Sequence, residues 1–226
     1  MWFIDTSVLA NWIISKSGST EYLFNALGIG FEHISNYNNK HKDSIDFINK
    51  IINLNENDPS YHDEYYITYL TIDELFSSVK DEINSIMLFK EGEPISRWRD
   101  PRNLKPIKEE HFKEIYTLTM STLDKLLADD SRITLTPDRS FRDKEFLGIY
   151  ARILFLMKDA RTQDSVLLAT AVLNGADYFV SRDGKIKRNY KQSILPGSQM
   201  HVIEPENGLR LLNKMNGENS RKSEVT

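Results

Sequence analysis

Four acidic residues, far apart along this chain, have the types and positions to serve one metal-dependent reaction. Asp5 follows an apolar run at the start of the chain, and Asp183 follows another near its end. Glu74 lies one turn into a predicted helix, and Asp164 opens an alanine-rich one. Four carboxylates in one place repel one another unless a cation neutralises them, and Mg²⁺ or Mn²⁺ are the hard ions that take oxygen ligands. The chemistry that suits such a group is phosphoryl transfer or phosphodiester hydrolysis.

Each acid also has a purely structural interpretation. Thr71 and Glu74 have the T-x-x-E spacing of a capping box, which would use Glu74 to close a helix N-terminus. Asp164 could cap a helix or oppose its dipole, and Asp183 could be a turn residue. Asp5 is harder to explain in this way, because an apolar strand and an apolar helix flank it and burying a charge there is costly. The set of four is therefore more specific than any member.

The elements around these acids alternate between short β-rich runs and helical patterns. The predicted strands are Trp2–Ile4, Tyr65–Leu70, Ile133–Thr136, Asp177–Ser181 and His201–Ile203. The predicted helices are Ser7–Ile14, Thr20–Leu27, Ser44–Leu54, Thr71–Leu88, His111–Leu127, Lys144–Met157, a segment from near Asp164 to Gly175, and Pro205–Met215. This alternation predicts an α/β fold, a three-layer α/β/α sandwich around a parallel sheet of four to five strands. In such a sheet the four acids should gather at the carboxyl ends of the strands.

Length and composition limit the other possibilities. The chain has 226 residues, a formal charge of −4 and no cysteine. This length predicts a single domain over residues 1–215, with insertions at about 28–63 and 91–108 and a polar, disordered tail over 216–226. The lack of cysteine excludes disulfides, zinc knuckles, iron–sulfur clusters and cysteine nucleophiles, so any metal must bind oxygen or histidine. The five histidines show no i, i+4 pair, and we interpret them as surface or satisfied side chains.

The sequence also predicts where the protein works. Its first residues lack the basic region of a secretory signal, and Asp5 stands where such a signal needs an apolar residue. The most apolar later stretch, Phe146–Met157, is interrupted by Arg152 and too short to span a bilayer. We therefore expect a cytoplasmic protein that has no membrane partner.

Three segments resemble the acidic blocks of PIN-domain nucleases: FIDTSVL near the start, TIDEL in the middle and QDSVLLATAVLNGADYFVSRD near the end. The last is the most specific, with an Asp opening an alanine-rich helix, a Gly-Ala-Asp turn, an apolar strand, a small hydroxyl residue, one residue and an Asp. The match covers about half of the chain directly, and the two insertions make this chain longer than compact members of the family. The resemblance implies a metal-dependent ribonuclease with a PIN-like fold. It also implies that the catalytic and metal-binding acids are Asp5, Glu74, Asp164 and Asp183, accompanied by the small polar residues Thr6 and Ser181.

Basic residues close to the last acid predict contact with a phosphate backbone. Basic side chains with an aromatic one among them, here Tyr190, suit single-stranded nucleic acid, so we expect single-stranded RNA as the partner. The predicted RNA-binding residues are Arg182, Lys185, Lys187 and Arg188. A second cluster around Trp98 is the weaker candidate and comprises Arg97, Arg99, Arg102, Lys105 and Lys108.

The primary hypothesis is an endoribonuclease in which one or two Mg²⁺ or Mn²⁺ ions activate water for attack on a phosphodiester. A catalytically silent PIN-like module that binds RNA or a protein through the insertions is the alternative. A metal-dependent phosphatase is a third option, disfavoured because Ser7 stands where a second Asp would be needed. The sequence leaves open which RNA is cut, whether the role is that of a toxin or of an RNA-processing enzyme, and whether an antitoxin protein or a second copy of the chain is a further partner.

Overall fold

The computed structural model describes the chain except residues 17–20, 22–24, 26–27, 29, 57, 95–105, 129–130, 192–193 and 224–226. The strands are β1 (Trp2–Ile4), β2 (Tyr65–Thr68), β3 (Ile133–Thr136), β4 (Tyr178–Val180) and β5 (His201–Ile203). The helices are α1 (Thr6–Lys16), α2 (Phe31–Lys40), α3 (Lys42–Ile52), α4 (Tyr69–Lys90), α5 (Glu109–Leu126), α6 (Lys144–Leu156), α7 (Thr162–Leu173), α8 (Gly184–Asn189) and α9 (Pro205–Ser223). A short 3-10 helix covers Pro59–His62.

The five strands form one parallel sheet in the order β3-β2-β1-β4-β5. Trp2 of the central strand β1 pairs with Tyr65 on one side and Tyr178 on the other. The order reverses between β1 and β4, because β2 and β3 fill one side of β1 and the later strands fill the other. In open α/β sheets, ligands bind outside the carboxyl ends of the strands at such a switch point.

Helices cover both faces of the sheet because the central strand is apolar on both. Successive side chains of a strand point to opposite faces, so Trp2 and Ile4 face one layer and Phe3 faces the other. The first layer packs into a core with α1, α3 and α4, and the second packs with α6 and α7. Trp2 lies 4.4 Å from Tyr178 between ring centroids, and Phe3 stacks on Phe179. The predicted fold class, an α/β/α sandwich with a parallel sheet, is confirmed.

The insertion at residues 28–63 is largely helical. Helix α2, Phe31–Lys40, escaped the sequence analysis because its asparagine-rich composition has weak intrinsic helix propensity. Tertiary contacts decide the matter instead: Tyr37 is buried in the main core, and α3 packs against α1 and α9. The helix predicted over Thr20–Leu27 and most of the insertion at 91–108 lie outside the described residues.

The last helix differs from the expectation of a disordered tail after Met215. Asn216 and Gly217 are helix-stopping signals, yet α9 continues to Ser223. No proline interrupts this stretch, and Glu218, Arg221 and Lys222 favour helix.

None of the helices in the described residues is long and apolar enough to cross a membrane.

Candidate active site

Asp5 lies at the switch point of the sheet. Its backbone N–H donates to the carbonyl oxygen of Val180 at 3.0 Å, which joins the carboxyl ends of β1 and β4. The residue is only 7% exposed, and Ser7 Oγ and Ser181 Oγ each donate to its Oδ2 at 2.6 Å. Burial raises the pKa of Asp5, against the lowering effect of the two serine hydroxyls. The structure therefore holds a carboxylate in a buried position that opposes its charge.

Helix α4 carries Glu74 to the same edge, and the capping-box interpretation of Glu74 is wrong. Thr68, directly before α4, accepts the N–H of Thr71 on its Oγ1 at 3.1 Å, so Thr68 is the capping residue. Glu74 lies farther inside the helix, and its Oε2 accepts a hydrogen bond from Thr6 Oγ1 at 2.9 Å. The predicted accessory residue Thr6 thus contacts one of the predicted acids directly.

Asp164 and Asp183 both cap helices, as their structural interpretation required. Asp164 Oδ2 accepts the N–H of Arg161 at 3.3 Å at the start of α7. Asp183 Oδ1 accepts the N–H of Lys185 at 2.7 Å at the start of α8. Each bond uses one oxygen of a carboxylate that has two. Capping therefore does not exclude a second role.

The four acids influence one another electrostatically. Burial is the largest cause of the raised pKa values of Asp5, Glu74 and Asp164. The charge of Asp183 adds to the rise at Asp5 and Asp164, and the charges of Asp5 and Asp164 add to the rise at Glu74, whose pKa reaches about 7. Each of the four predicted acids therefore lies within range of the charge of at least one other.

These carboxylates are not grouped around one point. Within the described part of the chain, no three or more His, Asp or Glu side chains form a group that could hold a metal ion. Hydroxyl and helix N–H groups bind the oxygens instead. The donor set suits a hard divalent ion, since it consists of carboxylates beside hydroxyls, but the side chains would have to turn toward a common point to bind one.

Asp138 is a fifth acid at this edge that the sequence analysis missed. It follows β3, and its Oδ2 accepts the N–H of Leu70 near the start of α4 at 2.8 Å. Its Oδ1 is buried and, among the described residues, has no hydrogen-bond partner. The charge of Asp138 also contributes to the raised pKa of Glu74. Its place just after a predicted strand is the signal that singled out Asp5 and Asp183, and it went unused at Asp138.

The basic residues after Ser181 divide into two groups. Arg182 directs its guanidinium into the protein, onto Asn11, His41 and the carbonyl oxygen of Lys40, which argues against the predicted phosphate contact. Lys185 and Arg188 on α8 are exposed, and Lys187 pairs with Glu204 at 2.7 Å. Lys185, Lys187 and Arg188 therefore lie on the protein surface, where Lys187 is paired. The second cluster lies mostly outside the described residues, and only Lys108 of it is described.

Comparison with known proteins supplies no relative for this site. No protein-family model, no curated protein and no solved structure matches this chain. The functional conclusion therefore rests on the chemistry of the site.

Proposed function

We propose that this protein is a PIN-like, metal-dependent endoribonuclease of the cytoplasm, which hydrolyses RNA with Mg²⁺ or Mn²⁺. One observation supports the proposal most: Asp5 is buried at the switch point of a parallel sheet, within electrostatic range of other carboxylates. A buried carboxylate cluster is unfavourable by itself, and a divalent cation would remove that cost.

The roles follow from the contacts of each residue. The cation would be held by Asp5, Glu74, Asp164 and Asp183. It would act as a Lewis acid and lower the pKa of bound water. Hydroxyls that orient ligating carboxylates are important for metal affinity, and this is the role we assign to Thr6, Ser7 and Ser181. No side chain is needed as a nucleophile, because water attacks the phosphorus.

The proposal predicts metal-dependent cleavage inside single-stranded RNA. Cleavage should occur with Mn²⁺ or Mg²⁺, stop in EDTA and return when Mn²⁺ is added in excess. Because water attacks rather than the neighbouring 2′-hydroxyl, the products should carry no 2′,3′-cyclic phosphate, and RNA with 2′-O-methyl groups at the cut site should still be cleaved. Gel and mass analysis of a labelled oligonucleotide measures both. Cleavage that resists EDTA would contradict the proposal.

A catalytically silent RNA- or protein-binding module is the second candidate. It is favoured by the absence, in the described residues, of a group of three or more acids ready to hold an ion. This candidate predicts RNA binding without cleavage and a melting temperature that does not respond to Mn²⁺. A protein partner would bind through the insertions and is detected by the mass of the complex in solution, as is a second copy of the chain; an antitoxin protein would instead be a partner of the active nuclease.

RNA binding should depend on the basic residues of α8. In the variant Lys185→Ala/Lys187→Ala/Arg188→Ala we expect weaker binding and a flatter dependence of the logarithm of affinity on that of salt concentration, because fewer counterions are released. Each lost contact to a single strand reduces the slope by about 0.7. Since Lys187 already pairs with Glu204, we expect a total change between about 1.4 and about 2.1.

Fluorescence anisotropy of labelled RNA in EDTA, at several salt concentrations, measures this slope without cleavage. Lys125→Ala is the control, since Lys125 is an exposed cation at the end of α5 that leads into the amino end of β3. An unchanged slope in the triple variant would show that α8 does not contact the backbone of the RNA.

A further inference from the structure

Arg182 lies between Ser181 and Asp183 at the carboxyl edge of the sheet, but its side chain points away from that edge. Its Nη1 donates to Asn11 Oδ1 on α1 at 3.0 Å and to His41 Nδ1. Its Nη2 donates to the carbonyl oxygen of Lys40 at 3.4 Å. One guanidinium therefore joins β4 to α1 and to the junction of α2 and α3.

The backbone of Arg182 contacts the group that holds Asp5. Its N–H donates to Ser7 Oγ at 3.2 Å, and that hydroxyl in turn donates to Asp5 Oδ2. On the preceding residue, Ser181 Oγ donates to the same Oδ2 and accepts the N–H of Asp183 at 2.9 Å. A shift of this turn would move both hydroxyls that orient the Asp5 carboxylate.

Two of the three partners of the guanidinium, His41 and Asn11, are buried. His41 is only 4% exposed, and burial, with the charges of Arg182 and Lys40, lowers its pKa to about 3. The ring is therefore neutral at physiological pH, so Nδ1 accepts a hydrogen bond from the guanidinium and the ring proton lies on Nε2, which is buried and has no hydrogen-bond partner among the described residues. Asn11 is buried as well, and its Nδ2 donates to Tyr37 Oη of α2 at 3.4 Å.

Charge also favours this placement of Arg182. Burial raises the pKa of Glu82 on α4, and the positive charges of Lys40 and Arg182 oppose that rise. The guanidinium is half-buried and donates to three acceptors, which favours this one orientation of the side chain. Lysine could not replace it, because only the planar fork reaches several acceptors together.

We propose that Arg182 is a positioning residue that fixes the turn Ser181–Asp183 to the inserted helices α2 and α3, and thereby sets the orientation of Asp5. Through Arg182, the inserted helices α2 and α3 hold the segment that carries Ser181 and Asp183 in place. This inference rests on the proposed nuclease function for its kinetic consequence, but not for its structural one.

The kinetic test compares Arg182→Ala, Arg182→Lys and His41→Ala with the parent. We expect kcat for RNA cleavage to fall by about 10- to 100-fold in Arg182→Ala, the range typical of groups that orient metal ligands, with KM and the salt slope of binding unchanged. His41→Ala should lower kcat in the same direction, and the double variant should lose less than the product of the two single effects. Asn39→Ala, an exposed change on α2, is the control.

Hydrogen exchange provides a readout that does not require activity. In Arg182→Ala, and to a smaller degree in Arg182→Lys, the amides of both the α2–α3 junction and the turn Ser181–Asp183 should exchange faster. Faster exchange in only one of these two segments would overturn the inference. So would a salt slope reduced by about 0.7 with kcat unchanged, which would make Arg182 a phosphate contact after all. If the parent cleaves no RNA, the nuclease proposal fails while the exchange test still decides this one.

Discussion

Asp5→Asn should abolish RNA cleavage and raise the melting temperature of the metal-free protein at neutral pH. Burial raises the pKa of Asp5, so the ionised side chain costs more free energy in the folded protein than in the unfolded chain. A neutral amide removes that penalty and also reduces repulsion with Asp183. The rate should fall about a thousandfold or more, because the loss of an anionic ligand to a Lewis acid removes several kcal/mol of transition-state stabilisation.

Asp177→Asn is the matched control for this variant. Asp177 precedes β4 at the opposite edge of the sheet, where its Oδ2 binds the terminal ammonium of Met1 at 2.7 Å. Its replacement should leave the cleavage rate unchanged. Single-turnover cleavage and thermal melts with and without Mn²⁺ measure both variants, and Mn²⁺ should raise the melting temperature of the parent and of Asp177→Asn but not of Asp5→Asn. Cleavage by Asp5→Asn at the parental rate would mean that the site is assigned to the wrong residues.

Glu74 should make the protein less stable as the pH rises from about 4.5 to about 7, while His41, whose pKa burial lowers to about 3, contributes a rise over part of the same range. Burial, followed by the charges of neighbouring acids, raises the pKa of Glu74 from 4.5 to about 7. Between these values the folded protein keeps a proton that the unfolded chain has lost, so each step up in pH favours unfolding. Glu74→Gln should remove this contribution, so the stability of the variant should fall less steeply, or rise more steeply, with pH than that of the parent, while Asp5 and Asp164 keep contributions of the same sign as that of Glu74.

Urea unfolding between pH 4.5 and 8 measures this profile, with Glu114→Gln, an exposed change on α5, as the control. Bound Mn²⁺ should reduce the contribution of Glu74 to the change of unfolding free energy with pH in the parent, because a cation favours the ionised form of Glu74. Cleavage should require that form, so at subsaturating Mn²⁺ the rate should rise with pH as Glu74 loses its proton. Equal slopes in the parent and in Glu74→Gln would contradict the assignment of a raised pKa to this carboxyl.

The sequence predicted the parts of the fold whose signals are local. Strands β1, β3 and β5 begin and end where they were predicted, because each short β-rich run is followed directly by an acid or a proline. Helix α2 was missed because packing rather than composition stabilises it. The direction of Arg182 could not be read from the sequence, since its partner His41 lies 141 residues away and only the folded chain makes them neighbours.

At Asp164 and Asp183, a capping role and a role in the site are compatible. Sequence reasoning treated a capping role as evidence against a role in the site, whereas each carboxylate caps a helix with one oxygen and lies among the other acids. At Asp164 the N–H of Arg161 at the helix N-terminus opposes the rise in pKa that burial and the neighbouring acids cause. Asp138 follows the same pattern, with one oxygen on the N–H of Leu70 at the start of α4.

The reversal of strand order at β1 has a consequence for the timing of synthesis. Asp5 is made early, but Ser181, which holds its carboxylate, follows 176 residues later. At translation rates of about 5 to 20 residues per second, that gap lasts roughly 10 to 35 s. During this time the nascent chain has β1 but neither β4 nor Asp183, so the acid site is incomplete. Under the proposed nuclease function, a nascent chain that ends before Asp183 lacks one of the four acids and should not cut RNA.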